Sequence, residues 1–396
     1  MQLYGIEALD IMLFREAKPF SPTEGSWAKG IFPPLPTTVF QALRSAIDVN
    51  ETDNNTRQFQ FIGPFLLYEE PGTEPVLWLP TPKDLLCVKR FGEEAQESSE
   101  NNDSEESTRW QRLVRLQPLD RNNEVWKPLG FDPDYFPENG LSPMVKPPYS
   151  PDKAVGNGLD ELGSEEYISD RPHPWIKASA LIKYLQGENL TNPEDFHPNP
   201  WSLQVLPHIQ MAQDKRQVKS EDGYFTEVAV RLHKYWKLVA GINATLKQST
   251  VRLGGEGHRA LVYPLHRPPV WDEIQLFREP SPTSNQAYLL TPGLAQVDPT
   301  AMVYGVYSHT WRQNLSGCVS DRPILWGGKS VFPKTPMLPQ RAFVPPGTVY
   351  WFKHKSEDLG DSCKDSLQKV LPQDGGKWLQ TLQSLNYGTL LWNRQQ

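Results

Sequence analysis

Proline restricts the folds open to this chain more than any other residue. Thirty-eight of its 396 residues are proline, gathered in short runs such as Phe32-Pro33-Pro34-Leu35-Pro36 and Lys146-Pro147-Pro148. Each one fixes φ and removes a backbone donor, so these stretches suit extended connections and strand borders rather than helix interiors. The expectation is an α+β protein, with short sheets and helices joined by long Pro-rich loops. A chain of this length has room for two or three domains. Thirteen Trp and sixteen Phe supply the large side chains that real cores need.

The net charge of −7 argues at first against a nucleic-acid partner. Its origin is local. Seven acidic residues and no basic ones lie in the loop 93–108, and the remainder carries forty charges of each sign. The tract Glu97–Thr108 has no apolar surface to bury and reads as a solvated loop, with a partner contact as the alternative. Cysteines at 87, 318 and 363 show neither pairing nor metal-ligand spacing, which fits a reducing compartment. No signal-peptide pattern opens the sequence, and no apolar run approaches the ~18 residues of a membrane span. A cytoplasmic protein without cofactor or metal is expected.

Periodicity places a buried strand over Leu3–Phe14 and a helix capped by Thr37 or Thr38, with Val39, Leu43 and Ile47 on one face. Further strands are expected at Phe59–Tyr68 and, as an edge, Val76–Pro82. Loops follow over Asn122–Asp170, then an amphipathic helix Trp175–Gln186 closed by Gly187. The Pro-dense stretch Asn192–Pro207 reads as the connection between halves, 1–200 and 201–396. A hairpin follows, Leu206–Met211 and Tyr224–His233, with Lys215, Arg216 and Lys219 at its reversal. Alternation in the returning strand leaves Phe225, Glu227, Ala229, Arg231 and His233 for an exposed face. Later strands are expected at Tyr235–Ile242, Val251–Leu253, Gln286–Thr291, Met302–Tyr307 and Thr348–Lys353, with Trp378–Trp392 docked on a sheet.

The strongest local signal is Val251–Arg259. Gly254, Gly255 and Gly257 remove side chains and permit positive φ, so main-chain amides there can approach an anion. Arg252 and Arg259 bracket the bend, and His258 adds a ring. This pattern suits a sugar-phosphate backbone; a tight hairpin with two surface arginines is the competing reading. Arg15 and Lys18 after the first strand, Lys29 and Gly30 before the helix, and Arg44 on it add a basic lip, or ordinary solvated charge. Trp326-Gly327-Gly328-Lys329-Ser330 lacks the upstream glycine of a phosphate loop and reads as a structural turn. The chain carries none of the common hydrolase or metal motifs. His258 as a general base for RNA cleavage is the enzymatic alternative.

Several of these segments resemble one family in order along the chain. Arg15–Phe20, Ile31–Thr37 with Ala42-Leu43-Arg44, the hairpin Pro207–Leu232, Leu253–Arg259, Tyr288–Pro292 and Ala342–Tyr350 look like the third subunit of the Cmr complex. That subunit is a repeat-associated (RAMP) protein of the type III-B CRISPR system. The resemblance implies two ferredoxin-like (RRM-related) modules and no catalysis. It also implies a grip on the 5′ repeat-derived tag of the CRISPR RNA, between the large polymerase/nuclease subunit and a backbone RAMP subunit. The alternatives are a repeat-RNA endonuclease of the CRISPR-processing RAMP type and a protein-binding spacer. Gln41 stands where the family helix usually begins with Gly, and the acidic loop and the Pro-rich stretch to Asp170 depart from the family pattern.

Overall fold

The computed structural model describes the chain outside residues 18–26, 29, 48–58, 93–109, 121, 129–140, 210–223, 299, 302, 330–336, 360–366 and 395–396. It is a mixed α/β structure, rich in strands and with few helices. Four antiparallel strands form the centre of the main sheet, in the order Phe61–Tyr68, Trp236–Ile242, Gln2–Ala8, Arg259–Pro264. Numbered along the chain, these four lie 2-3-1-4. The first is shorter than its apolar run suggests. A bend at Leu9–Asp10 ends it, and beyond come only isolated bridges, Met12 to Val230 and Arg15 to Gly30.

Helix Pro36–Arg44 joins the first two central strands and buries Val39 and Leu43 against the sheet. Leu35 takes the cap position without a side-chain bond, so neither threonine serves as cap. Pro36 starts the helix at a turn where no amide partner exists to lose. The amide of Thr37 instead donates to the Tyr387 hydroxyl at 3.2 Å. Pro64 sits inside a strand where the pairing slips register between Val239 and Gly241, a place that tolerates a missing donor.

Eight strands complete the main sheet. Ser249–Arg252 forms one edge, while Val76–Pro80, Trp175–Lys177 and Phe196–His197 extend the other. Val76–Pro80 is therefore not an edge strand, because Phe61–Tyr68 and Trp175–Lys177 pair with it on either side. Its prolines fall at the end of that pairing, where they cost little. Trp175–Lys177 is strand, and the helix begins only at Ala178, running to Leu185 with Gly187 beyond it at φ +79°.

A second sheet runs Leu315–Val319, Val349–Phe352, Gln286–Leu289, Leu390–Trp392, antiparallel throughout. It repeats the 2-3-1-4 order, with helix Gly376–Ser384 between its third and fourth strands. The main sheet meanwhile takes strands from both sides of residue 200, so the sheets do not follow the division expected there.

Between Tyr68 and Trp236 the chain makes a long excursion. Leu85–Arg90 and Arg112–Arg115 pair as a hairpin, joined by Glu166–Ile168. The region Asn122–Asp170 holds short strands as well as loops. The later hairpin pairs Trp201–Ile209 with Tyr224–Leu232, so the supposed connection Asn192–Pro207 already contains its first arm. Glu227 and Ala229, expected to face solvent, are sealed. Their strand is covered on its second edge by Trp27–Ala28 and Met12. Trp326–Lys329 is no turn either: Ile324–Lys329 is a strand paired with Met337–Phe343.

The two faces of the main sheet carry separate apolar cores; one reaches the helix Gly376–Ser384 that precedes the last strand of the second sheet, the other reaches that sheet itself. Helix Pro36–Arg44 and Leu379–Tyr387 share one; helix Ala178–Leu185, Trp271, Tyr288 and Leu391 share the other. A buried polar knot adds to this second contact. The Tyr184 hydroxyl donates to both Asp84 carboxylate oxygens at 2.9 and 2.8 Å, and Gln286 Nε2 donates to one of them at 3.1 Å. Arg115 donates to Gln286 at 2.8 Å and pairs with Asp160 at 2.9 Å. The excursion and the second sheet are welded through this knot.

Candidate nucleic-acid interface

The glycine-rich bend closes the hairpin Ser249–Arg252/Arg259–Pro264. Leu253 N–H donates to the His258 carbonyl at 2.9 Å and His258 N–H to Gly255 at 3.2 Å, which fixes the turn. Three residues there have positive φ: Gly254 at +89°, Glu256 at +54° and Gly257 at +81°. Gly254 has a second reason to be glycine. A Cβ on it would lie 2.4 Å from the Leu13 carbonyl oxygen. That same carbonyl accepts the Gly255 amide at 2.8 Å. The close backbone approach expected toward an anion is thus made first to the chain itself. Gly257 faces open space.

Arg252 and Arg259 are the last pair of the ladder and stand directly opposite each other. Both are exposed, and no carboxylate pairs with either among the described residues. Like charges directly opposite on one sheet face repel, so this pair costs stability unless an anion lies over it. Arg15 is handled differently. Its guanidinium reaches Glu256 on the bend at 2.5 Å, although the two side chains are 61% and 36% exposed. Glu256 thereby ties the segment after the first strand to the bend.

A groove of about 550 Å³ opens beside this pair. Leu13, Phe14 and Arg15 line it from the segment after the first strand, Arg252, Gly254 and Gly255 from the bend, and Leu325, Trp326 and Gly327 from the hairpin Ile324–Lys329/Met337–Phe343. The helix presents Thr38, Gln41, Ala42 and Ser45, the spacing of one helical face. Gln41 is exposed to this groove, so a polar side chain rather than bare backbone faces it there.

The remaining candidates separate. Gly30 bridges Arg15 and lies against the Phe14 carbonyl, so it shapes the lip rather than facing the groove. Arg44 is exposed at the helix end and does not line the groove. His258 turns inward: its Nε2 lies 3.1 Å from the Glu227 carboxylate, and its side chain is 17% exposed. The ring ties the bend to the hairpin arm. Lys18, Lys29, Lys215, Arg216, Lys219 and the acidic loop 93–108 lie outside the described residues. Thr38, Ser45 and Trp326 escaped the sequence reading. Only Trp326 carries a signal, a tryptophan ahead of paired glycines that by itself reads as a structural turn. Among the described residues no cluster of His, Cys, Asp or Glu could hold a metal ion, and no helix is long and apolar enough to cross a membrane.

The edge of the main sheet thus carries a groove lined by Arg15, Arg252 and the glycines of the bend. A family model described as CRISPR-associated protein (Cas_Cmr3) matches residues 4–394, and the chain belongs to this family. The resemblance read from the sequence motifs is thereby borne out. No curated protein matches the sequence. Among solved structures, the chain is similar to one in the type III-B Cmr-beta complex bound to cognate target RNA and AMPPnP, at 11% identity, TM-score 0.46, over 98% of this chain and 96% of that one. The same complex bound to cognate target RNA gives 12% identity and TM-score 0.46, with the same coverage. A chain of the Csm3–Csm4 subcomplex of a type III-A interference complex matches at 11% identity and TM-score 0.33, over 90% and 94%. Membership rests on the family match rather than on these likenesses.

Proposed function

We propose that this chain is a non-catalytic subunit of a type III-B CRISPR effector complex in the cytoplasm that holds the 5′ repeat-derived tag of the CRISPR RNA. In this reading it bridges the large polymerase/nuclease subunit to the backbone RAMP subunits. Two ferredoxin-like modules carry it. The repeated 2-3-1-4 strand order supports them, one module keeping the helix after its first strand and the other the helix before its last. The first module would then be closed by strands from residues 236–264, with the excursion inserted between its second and third strands.

The observation that carries the RNA reading is the cross-strand pair Arg252/Arg259, unneutralised by carboxylates among the described residues, with Arg252 on the lining of a groove of about 550 Å³. Phosphates would relieve its repulsion and accept paired guanidinium bonds. The test is binding of tag-bearing RNA by the full chain across a salt series. Arg252→Ala/Arg259→Ala should weaken binding at every salt concentration and flatten the log–log salt slope by about 1.4, the loss of two single-strand phosphate contacts. Unchanged affinity and slope in that double variant would remove the arginine pair as the grip. Cleavage of repeat RNA by the wild-type chain would overturn the non-catalytic reading.

A further inference from the structure

We propose that Trp326, with Arg341 and Trp378 stacked behind it, is a platform on which one unpaired nucleobase of the groove-bound RNA lies flat; the proposal rests on the RNA reading above. Trp326 and Arg341 stand directly opposite each other on the hairpin Ile324–Lys329/Met337–Phe343. The Arg341 guanidinium carbon lies 5.4 Å from the centre of the Trp326 ring and 4.3 Å from that of Trp378. One cation therefore serves two indoles, and no carboxylate pairs with it among the described residues.

The hairpin is built to present this residue. Pairing slips register between Trp326 and Gly328, and such a bulge re-aims the side chains beside it. Trp326 stays partly exposed where it packs on the main core, and it lines the same groove as Arg15 and Arg252. Trp378 lines a separate cavity of about 340 Å³ with Gln296, Tyr304 and His309. The stack thus leads away from the phosphate-binding edge. A strand whose backbone follows the arginines has an aromatic surface within the same groove for a base turned out of the stack. Every base has a π-face, so the platform would accept any of the four.

The experiment uses the full chain and single-stranded tag-bearing RNA, with Trp326→Leu to keep apolar volume and Trp326→Phe to keep a ring. Trp326→Leu should bind roughly ten-fold more weakly with an unchanged salt slope, because stacking releases no counterions. Trp326→Phe should keep most of the affinity. Replacing each nucleotide in turn by an abasic one should find a position that costs the wild type a similar factor and costs Trp326→Leu almost nothing. Thermal melting of each variant identifies any loss due to unfolding, and Trp326→Phe then decides. The platform is overturned if Trp326→Leu binds as the wild type does, if Trp326→Phe loses as much as Leu, or if abasic penalties are the same in both. Should these outcomes appear while Arg252→Ala/Arg259→Ala still weakens binding, the RNA reading stands and the platform alone fails. No effect from either the arginine double variant or the Trp326 variants would sink both.

Discussion

Asp84 shows how single residues here answer to burial before charge. Desolvation pushes its carboxyl up to about 6 from an ordinary 3.8, although Arg115 and the Tyr184 hydroxyl pull the other way. The folded chain therefore holds this proton more tightly than the unfolded one. The resulting stability is fully present below the unfolded value and lost as pH rises through the folded one. Two pH units correspond to on the order of 3 kcal/mol. Chemical denaturation of the wild type should show stability falling between about pH 4 and 6.5 relative to Asp84→Asn. Parallel stability–pH curves for the two proteins would show that Asp84 contributes no such slope. At the groove, the glycines and arginines of 252–259 were legible because each type has few conformational or chemical uses. The carbonyl that makes Gly254 indispensable belongs to Leu13, far away in sequence, and no local pattern announces it.

Elements were misread where burial inverted a residue's usual meaning. Arg112–Arg115 holds two arginines in four positions, yet the whole strand is buried. Glu166 explains the first of them. Arg112 donates to its two carboxylate oxygens at 2.7 and 2.6 Å, and the amides of Gly156 and Gly163 add bonds at 3.0 and 2.7 Å. Burial alone would raise Glu166, but these donors outweigh it and hold the carboxylate below its usual range. Arg112→Met would strand that charge among four elements. A loss of about 3–5 kcal/mol in urea denaturation is expected, and a change under 1 kcal/mol would show that the pair is not what fixes this layer. Helices were easier, since Val39 with Leu43 and Leu181 with Leu185 repeat at a spacing only a helix buries together. Prolines misled in the opposite direction at Val76–Pro80, because a missing donor at the end of a pairing costs far less than one in its middle.

At the scale of the molecule, the halves of the chain are not the halves of the fold. The main sheet needs Trp236–Ile242 between Phe61–Tyr68 and Gln2–Ala8, and its cores reach the second sheet on one face and the helix Gly376–Ser384 on the other. Fragments 1–200 and 201–396 should each show little cooperative melting by circular dichroism when made alone, and should regain it when produced together. Independent cooperative folding of 1–200 would show that its own strands suffice. Composition and patterning made the mixture of strands and few helices legible, and the ordered motifs made the family legible. The long excursion hid how the main sheet closes, because strand pairing between distant segments leaves no periodic trace.

That closure has a consequence for synthesis. Phe61–Tyr68 and Gln2–Ala8 leave the ribosome with the space between them empty, and the strand that fills it comes roughly 170 residues later, a delay on the order of 10–30 s at usual elongation rates. For that interval two apolar strands present unpaired edges to the crowded cell, the exposure that invites wrong partners. The nascent chain must be guarded until its own late strand arrives.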